Sequence, residues 1–357
     1  EQAAAQARAV AEAGGDGSQS AWADLAWITG NWANALRDVG ELDAARQRQL
    51  ESAEAAKQAG CPAIDVIGSE LEALRIDVMQ GEVAAALPGV ETRLAQVEAW
   101  WQQQRAGQCV PEAPDVEFLA RAFISALDIA REAHVAQEDW PAALCRIDAI
   151  LAVERTLQRP VEDIAAARMN RAAVLVKMPG RFGEARAELE DCLELFQNDP
   201  AMSSKVLGSL AQLFAKQGDF AQAITQQRRA LASCEPLPDP ADRAISHNNL
   251  AIYLERRGTA FDLAESLRHR LADLVYCRVA DLGQDLQTSL HNYVVRFHRA
   301  HAAGSALTVP RVADLLADPA FAPLAQWLGQ RQVDRDDLQA AVDQLLEQVR
   351  QAALANP

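Results

Sequence analysis

Apolar residues recur along most of the chain with a helical period, and short polar turns interrupt them at regular intervals. Ala, Leu, Glu, Gln and Arg dominate and runs of β-branched residues are nearly absent, which favours helices over strands. Most of the turns contain a glycine. An acidic or aromatic residue comes next, and an Ala-rich segment follows it. The turns are centred on Gly40, Gly81, Glu138, Gly180, Gly218 and Gly258. Successive turns are therefore about 41, 57, 42, 38 and 40 residues apart.

A period near 40 residues with two helices per unit predicts an all-α fold built as an α-solenoid of stacked antiparallel helix pairs. A single pair leaves an apolar stripe exposed, so each pair has to stack on its neighbours. The one long interval contains residues 104–114, where Gly107, Pro111 and Pro114 indicate an inserted loop.

Small residues and glycines occupy matching positions in four of these units. In the clearest unit, Ala211 lies in the first helix, Gly218 in the turn, Ala223 and Ala230 in the second helix, and Pro236 ends the unit. The other three units contain Ala251 with Gly258, Ala172 and Ala173 with Gly180, Phe182 and Ala185, and Ala33 with Gly40 and Ala45. The units around Gly81 and Trp140 depart from this pattern, with Leu74 in place of the small residue and Glu138 in place of the glycine.

This pattern resembles the tetratricopeptide repeat family, in its longer variant of about 40 residues per repeat. The resemblance covers about residues 20–304 and implies a right-handed superhelix of six or seven repeats. It also implies a concave groove, lined by the first helix of each repeat, that holds a segment of a partner protein.

The two ends of the chain differ from the repeats. We expect a lone N-terminal helix with a Gly-rich break in residues 1–18, the solenoid in 19–304 and a helical cap in 305–357. Predicted helix N-caps in the last region are Thr308, Asp318 and Asp334. The final helix carries an apolar stripe of Leu338, Val342, Leu345, Leu346 and Val349. This stripe is expected to cover the open face of the last repeat; a homodimer formed through it is the alternative.

Composition and charge exclude several function classes. The 357 residues include 72 Ala and carry a formal net charge of -16, which argues against a nucleic-acid partner. Apolar runs are too short for a membrane span, so no membrane partner is expected. Six cysteines, separated by 36 to 48 residues without CxxC or CxxH spacing, predict reduced structural thiols and a cytoplasmic protein.

The tryptophans are expected to fill the core. Trp22, Trp27 and Trp32 recur every five residues and so spread around one helix. Trp100 and Trp101 are adjacent, and adjacent side chains on a helix point about 100° apart. One of the two rings is therefore expected to stay near the surface.

The sequence contains no phosphate-binding, zinc-protease or nucleophile-elbow motif, so we expect neither enzymatic activity nor a cofactor. An enzyme on a helical scaffold stays an alternative without a residue to support it. His291, His298 and His301 share one predicted helix, seven and three residues apart, as zinc ligands sometimes do. Histidines exposed to solvent or lining a groove are commoner, so no metal site is predicted.

Polar residues form stripes along the predicted first helices of the repeats. Two residues that are seven positions apart on a helix point within about 20° of the same direction. Asn170 and Lys177 are seven apart, as are Lys205 and Gln212. Such amides and cations suit a peptide backbone and carboxylates. The predicted groove residues are Asn34, Arg37, Asn170, Lys177, Lys205, Gln212, Lys216, Asn248, Asn249, Arg256 and Asn292. A solvated helix face is the alternative for any one of them.

Charge is unevenly distributed between the two helices of a repeat. The five windows 31–39, 166–177, 205–217, 244–257 and 286–301 hold ten basic and two acidic residues, a net +8 within a chain of -16. Windows 70–80 and 121–134 lack this excess. A positive groove inside an acidic surface favours an acidic peptide or a C-terminal carboxylate.

We therefore expect a protein–protein interaction scaffold that binds a partner segment of acidic character in its groove. The alternative is a sensory or regulatory portion of a larger multidomain protein whose effector domain lies outside this chain, since the first residue is Glu1 and the first helix has no partner in the repeat pattern. Nucleic-acid binding through the positive groove is a further alternative, and it predicts a steep dependence on salt.

Overall fold

The computed structural model describes residues 2–15, 17–113, 115–302 and 310–355, and in these ranges every regular element is a helix. The first seven helices are α1 Gln2–Ala13, α2 Ser18–Asp38, α3 Leu42–Ala59, α4 Ala63–Met79, α5 Val83–Arg105, α6 Val116–Ala136 and α7 Trp140–Thr156. The next seven are α8 Val161–Leu175, α9 Phe182–Leu195, α10 Pro200–Lys216, α11 Phe220–Cys234, α12 Pro240–Arg257, α13 Ala260–Val279 and α14 Gly283–Ala302. The last three are α15 Val312–Ala317, α16 Ala322–Gln330 and α17 Arg335–Ala355, with a 3₁₀ turn at Pro319–Phe321 before α16.

Aspartate side chains begin many of these helices. Asp199 accepts hydrogen bonds from the backbone N–H groups of Ala201 and Met202, both at 3.0 Å, and Pro200 supplies the fixed φ of the first helical residue. Asp115, Asp139, Asp219 and Asp239 accept hydrogen bonds from backbone N–H groups at the starts of their helices in the same way. Each carboxylate also lies at the positive end of its helix dipole, which stabilises these starts.

The six predicted turns are all present between consecutive helices. Five of them contain a glycine with positive φ: Gly40, Gly81, Gly180, Gly218 and Gly258. Glu138 takes the same left-handed conformation, with φ of 58°, where the other repeats have glycine. The all-α solenoid predicted from the sequence is therefore confirmed in its helix order and in its turns.

The chain forms two compact units, Glu1–Pro179 and Gly180–Pro357. In the first unit α1 packs on α2, where Ala4 and Leu25 share an apolar cluster. The inserted loop is held to α4, since the Ile64 N–H donates to the Glu112 carbonyl at 3.1 Å. The expectation that one ring of the Trp100 and Trp101 pair reaches the surface was wrong, because residues of the loop and of α6 cover both.

In the second unit, small residues stand where consecutive helices touch. Ala211, Ala223, Ala230 and Ala251 are at most 1% exposed, as the repeat pattern predicts. Close approach of helix axes requires such small side chains.

Helices α15 to α17 pack against α13 and α14 through a cluster that includes Val312, Phe321 and Trp327. Leu338 and Val342 of the α17 stripe are buried in the same cluster, as a cap requires. Asp318 and Asp334 are N-caps as predicted. Thr308 and the side chains of Leu346 and Val349 lie outside the described residues, and the division of the chain at residues 18 and 304 stays a prediction.

Candidate functional site

Five of the predicted groove residues meet in one cleft of the second unit. The cleft lies between α10 and α12, the first helices of two consecutive repeats, and we call it the α10–α12 cleft. It consists of two adjoining pockets of about 280 and 290 Å³ that share Gln212, Asn249 and Tyr253 as lining residues. The five predicted residues are Lys205, Gln212, Lys216, Asn249 and Arg256.

The first pocket, here the serine compartment, lies toward the N-terminal ends of the two helices. Hydroxyl and amide groups dominate its wall, with one carboxylate from Asp242 and one cation from Lys205. Its lining residues are Ser204, Lys205, Gly208, Ser209, Gln212, Gln227, Asp242, Ile245, Ser246, Asn249 and Tyr253.

The second pocket, here the cationic compartment, lies toward the C-terminal ends. Lys216 and Arg256 are its charged groups, and no acidic side chain is among its lining residues. Apolar surface comes from Phe220 and Ile252. The complete set is Gln212, Ala215, Lys216, Phe220, Asn249, Ile252, Tyr253 and Arg256.

Helical periodicity explains why these side chains converge. In α10 the apolar residues Val206, Leu210 and Leu213 are at most 3% exposed, so the helix turns its opposite face, with Lys205 and Gln212, to solvent. In α12, Asn249, Tyr253 and Arg256 follow at intervals of four and three residues and therefore share one face.

The cations of the cleft have no acidic partner within the described part of the chain. Lys205, Lys216 and Arg256 are exposed, and none of them forms an ion pair with any of the described residues. The neighbouring Arg257, by contrast, donates to Asp262 Oδ2 at 2.9 Å. Uncompensated cations in a concave site attract and orient an anionic ligand.

Tyr253 contributes a neutral hydrogen-bonding group to both compartments. Its side chain is 8% exposed, and burial raises the pKa of the phenol to about 12. The phenol is therefore protonated at neutral pH and can donate a hydrogen bond to a carbonyl or carboxylate oxygen of a ligand.

Asn170 and Lys177 belong to the first unit and are not among the lining residues of the cleft. Asn170 lines a larger pocket of about 490 Å³ between α6, α7 and α8. That pocket contains charges of both signs that pair with each other, for example Arg131 Nε with Asp128 Oδ1 at 2.7 Å. Lys177 Nζ lies 5.8 Å from the ring centroid of Trp140.

The remaining predicted groove residues do not line the α10–α12 cleft. Arg37 donates to Glu72 Oε2 at 3.0 Å, and Asn34 accepts a hydrogen bond from Gln49 at 3.4 Å. Asn248 accepts from the buried Arg270 of α13. Asn292 is half-buried on α14. For all of the groove residues, a role in binding stays a prediction.

Sequence reasoning missed two polar residues of the cleft that the spacing could have indicated. Tyr253 lies four residues after Asn249 and three before Arg256, on the same face. Gln227 interrupts the apolar stripe of α11 between Ile224 and Leu231, a position where the helical period calls for an apolar residue.

No group of three His, Cys, Asp or Glu side chains that could hold a metal ion occurs among the described residues. His291 is exposed on α14, while the side chains of His298 and His301 lie outside the described residues. Within the part of the chain that is described, no helix is both long and apolar enough to cross a bilayer.

Comparisons with known proteins support the fold and leave the family open. No family model matches the chain, and no curated protein sequence matches it. The solved structure of the apo form of RapI aligns with a TM-score of 0.50 at 13% sequence identity, covering 78% of this chain and 99% of RapI. At that identity the likeness concerns the fold alone, and it agrees with an all-α solenoid.

Two further solved structures align at lower scores. A Rap protein complexed with Competence and Sporulation Factor has a TM-score of 0.48 at 11% identity, with 80% of this chain and 81% of that chain covered. BtubC (BKLC) from P. vanneervenii has a TM-score of 0.47 at 16% identity, with 71% and 92% covered. Membership of the tetratricopeptide repeat family stays a prediction.

Proposed function

We propose that this protein is a protein–protein interaction scaffold that binds an acidic segment of a partner in the α10–α12 cleft. One observation carries the proposal. Three exposed cations without an acidic partner among the described residues line a concave site in a chain whose net charge is -16. Such a site attracts a short anionic ligand, whereas the acidic remainder of the surface repels a long polyanion.

The polar groups of the cleft suit a peptide. Lys216 and Arg256 would pair with carboxylates, and the Arg guanidinium can bind one in a bidentate manner. The amides of Gln212 and Asn249 each offer a donor and an acceptor to a peptide backbone. Ile252 and Phe220 supply apolar surface for a neighbouring side chain.

Selection from a displayed peptide library tests the proposal. We expect the wild-type protein to enrich peptides that contain Asp or Glu. The Lys216→Glu, Arg256→Glu double variant should bind them at least about tenfold more weakly, since each reversed charge turns an attraction into a repulsion.

The matched control is Arg229→Glu, Arg278→Glu, which makes the same change in net charge at two exposed residues outside the lining of the cleft. Its affinity should stay within about twofold of wild type, because neither arginine lines the cleft and solvent and salt weaken the effect of exposed charges. Selection without acidic enrichment, or an equal loss in both double variants, would contradict the assignment.

A further inference from the structure

We propose that Gln227 determines the specificity of the cleft by binding a primary amide side chain, Asn or Gln, of the partner segment. This inference rests on the proposed function and adds a second recognised group to the carboxylate. The amide of the partner segment would bind in the serine compartment, and its carboxylate would bind in the cationic compartment.

Gln227 is a buried polar residue in an apolar setting. It lies on α11, the second helix of its repeat, and is 1% exposed. Ala223, Ile224, Ala230 and Leu231 surround it on the same buried face of the helix. An apolar residue of similar length would fit this face at no cost in hydrogen bonds, so the fold by itself does not call for an amide.

The Gln227 amide has no hydrogen-bond partner among the described residues. Its Oε1 is buried and unpaired, although the residue lines the serine compartment. Most buried polar atoms in proteins are hydrogen-bonded to protein or to ordered water, so an unpaired one beside a pocket can take a water molecule or a ligand group. Oε1 is shielded from solvent in the free protein, and a rotation of the terminal amide would present it to a ligand donor, which would supply the missing bond.

The position of Gln227 requires a side chain as its partner. The residue reaches the compartment from the second helix of the repeat, beneath the surface that α10 and α12 form. In the proposed complex the backbone of the bound segment would lie over that surface, and a projecting side chain would reach the amide.

The neighbouring groups favour a primary amide over other side chains. The Ser204 hydroxyl donates to the Ala230 carbonyl at 3.0 Å and also contacts the Cys234 thiol, and its oxygen has two lone pairs with which to accept. A primary amide has two N–H donors, one for Gln227 Oε1 and one for Ser204, and its carbonyl can accept from the Gln227 amide. A hydroxyl has a single donor, and a carboxylate has none.

The helix geometry sets the spacing between the two recognised groups. The α10 residues that line the serine compartment centre near position 208, and those of the cationic compartment centre near position 214. At 1.5 Å per residue these centres are about 10 Å apart along the helix. An extended peptide spans this distance in about three residues. The amide residue therefore lies about three positions from the acidic residue.

Fluorescence anisotropy with capped, labelled hexapeptides tests the proposal. The parent peptides are Ser-Gln-Ala-Ala-Glu-Ser and its reversed order Ser-Glu-Ala-Ala-Gln-Ser. In the comparison peptides norleucine replaces Gln, Lys replaces Gln, or Gln replaces Glu. The protein is used as the full chain, in wild-type form and as Gln227→Met, a change that conserves side-chain length.

We expect the wild type to bind one parent peptide about tenfold more tightly than its norleucine counterpart. Gln227→Met should abolish this difference and keep the preference for Glu over Gln at the acidic position. It should also keep or raise the Tm, because an unpaired buried amide has been replaced by an apolar group.

A second variant closes the compartment without altering Gln227. Gly208 lies in the middle of α10 and lines the serine compartment, and a Cβ added there meets no atom within 4 Å. Gly208→Leu should therefore fold and should lose the preference for Gln. Its control is Gly183→Leu, at an exposed helical glycine of α9 with equally open space.

Four results would overturn the inference. The first is a preference for Gln that survives Gln227→Met, and the second is no preference for Gln in either peptide order. The third is a Lys peptide that binds more tightly than the Gln peptide through Asp242. The fourth is a large loss of Tm in Gln227→Met, which would assign the residue a structural role. The proposed function is judged separately, by the library selection and the charge-reversed variants, so that it can stand when this inference fails.

Discussion

The left-handed backbone conformation in the turns between helices favours glycine at one position of each turn. At Gly218, φ is 80° and a Cβ would meet no atom within 4 Å, so a substitution there costs only the strain of the backbone conformation. Glu138 adopts this conformation with a φ of 58° and exposes its side chain. The turn at Glu138 therefore bears a strain that the five turns with glycine avoid.

Glu138→Gly should stabilise the protein by about 1 kcal/mol, because glycine removes the Cβ that disfavours the left-handed region. Gly218→Ala should destabilise it by a similar amount for the opposite reason. Urea unfolding followed by circular dichroism measures both changes. Glu138→Ala is the control: it removes the same carboxylate but keeps a Cβ, so a gain in this variant equal to that of Glu138→Gly would refute the backbone explanation.

At the scale of elements, a buried histidine pair joins α12 and α13 to the 3₁₀ turn before α16. His247 Nδ1 and His269 Nδ1 are 2.8 Å apart, so one ring donates to the other and both are neutral. The ring of Phe321 lies 5.8 Å from that of His247 and 5.0 Å from that of His269. Burial lowers the pKa of both imidazoles. His269 lowers the pKa of His247 further, whereas Glu265, 3.7 Å from His269 Nε2, opposes the shift in the pKa of His269.

This pair makes stability depend on pH. Below about pH 6.5 the unfolded chain binds protons at both histidines while the folded protein resists them, so the free energy of unfolding falls as the pH falls. Hydrogen bonds from His269 and Arg228 lower the pKa of Glu265 to about 2, so this carboxylate adds its own loss only at lower pH. We expect a loss of about 1–2 kcal/mol between about pH 7.5 and 5.5.

Urea unfolding at the two pH values measures this loss. The His247→Gln, His269→Gln double variant should be less stable at neutral pH but should change little between the two values. His291→Gln, which removes an exposed histidine of α14, is the control and should behave like wild type. If the double variant loses as much stability as wild type, the pair is not the cause.

At the scale of the whole molecule, the location of charge matters more than its sum. Many arginines outside the cleft are paired with acids, as Arg46 is with Asp77 and Arg171 with Asp148 at 2.8 Å. Lys205, Lys216 and Arg256 in the cleft are not so paired with the described residues. A chain with a net charge of -16 therefore keeps a local positive site.

This distribution predicts that binding of a selected acidic peptide weakens with salt. The Debye length falls from about 10 Å at 0.1 M to about 3 Å at 1 M, so affinity should fall about tenfold over this range. In Lys216→Ala, Arg256→Ala the dependence should be much flatter, and in the control Arg229→Ala, Arg278→Ala it should match wild type. Calorimetry at several salt concentrations measures the slope; an affinity independent of salt in the wild type would argue against carboxylate recognition.

The sequence by itself determined the helices, their turns and the stripe on which the cleft residues lie. Asp199 with Pro200, Gly218 and the small residues such as Ala211 act on their own turn or helix, so their effects can be read from neighbours along the chain. The face shared by Lys205 and Gln212, and that shared by Asn249 and Arg256, follow from the 3.6-residue period in the same way.

Only the tertiary structure decided which of these side chains meet. It united five of the predicted residues in one cleft, whereas Asn248 is bound to Arg270 and Arg37 to Glu72. It also buried Trp100 and Trp101, left Trp27 73% exposed, and brought Gln227 to the wall of a pocket. The reason is that contacts between helices join residues far apart in sequence, and the period of one helix carries no information about its neighbours.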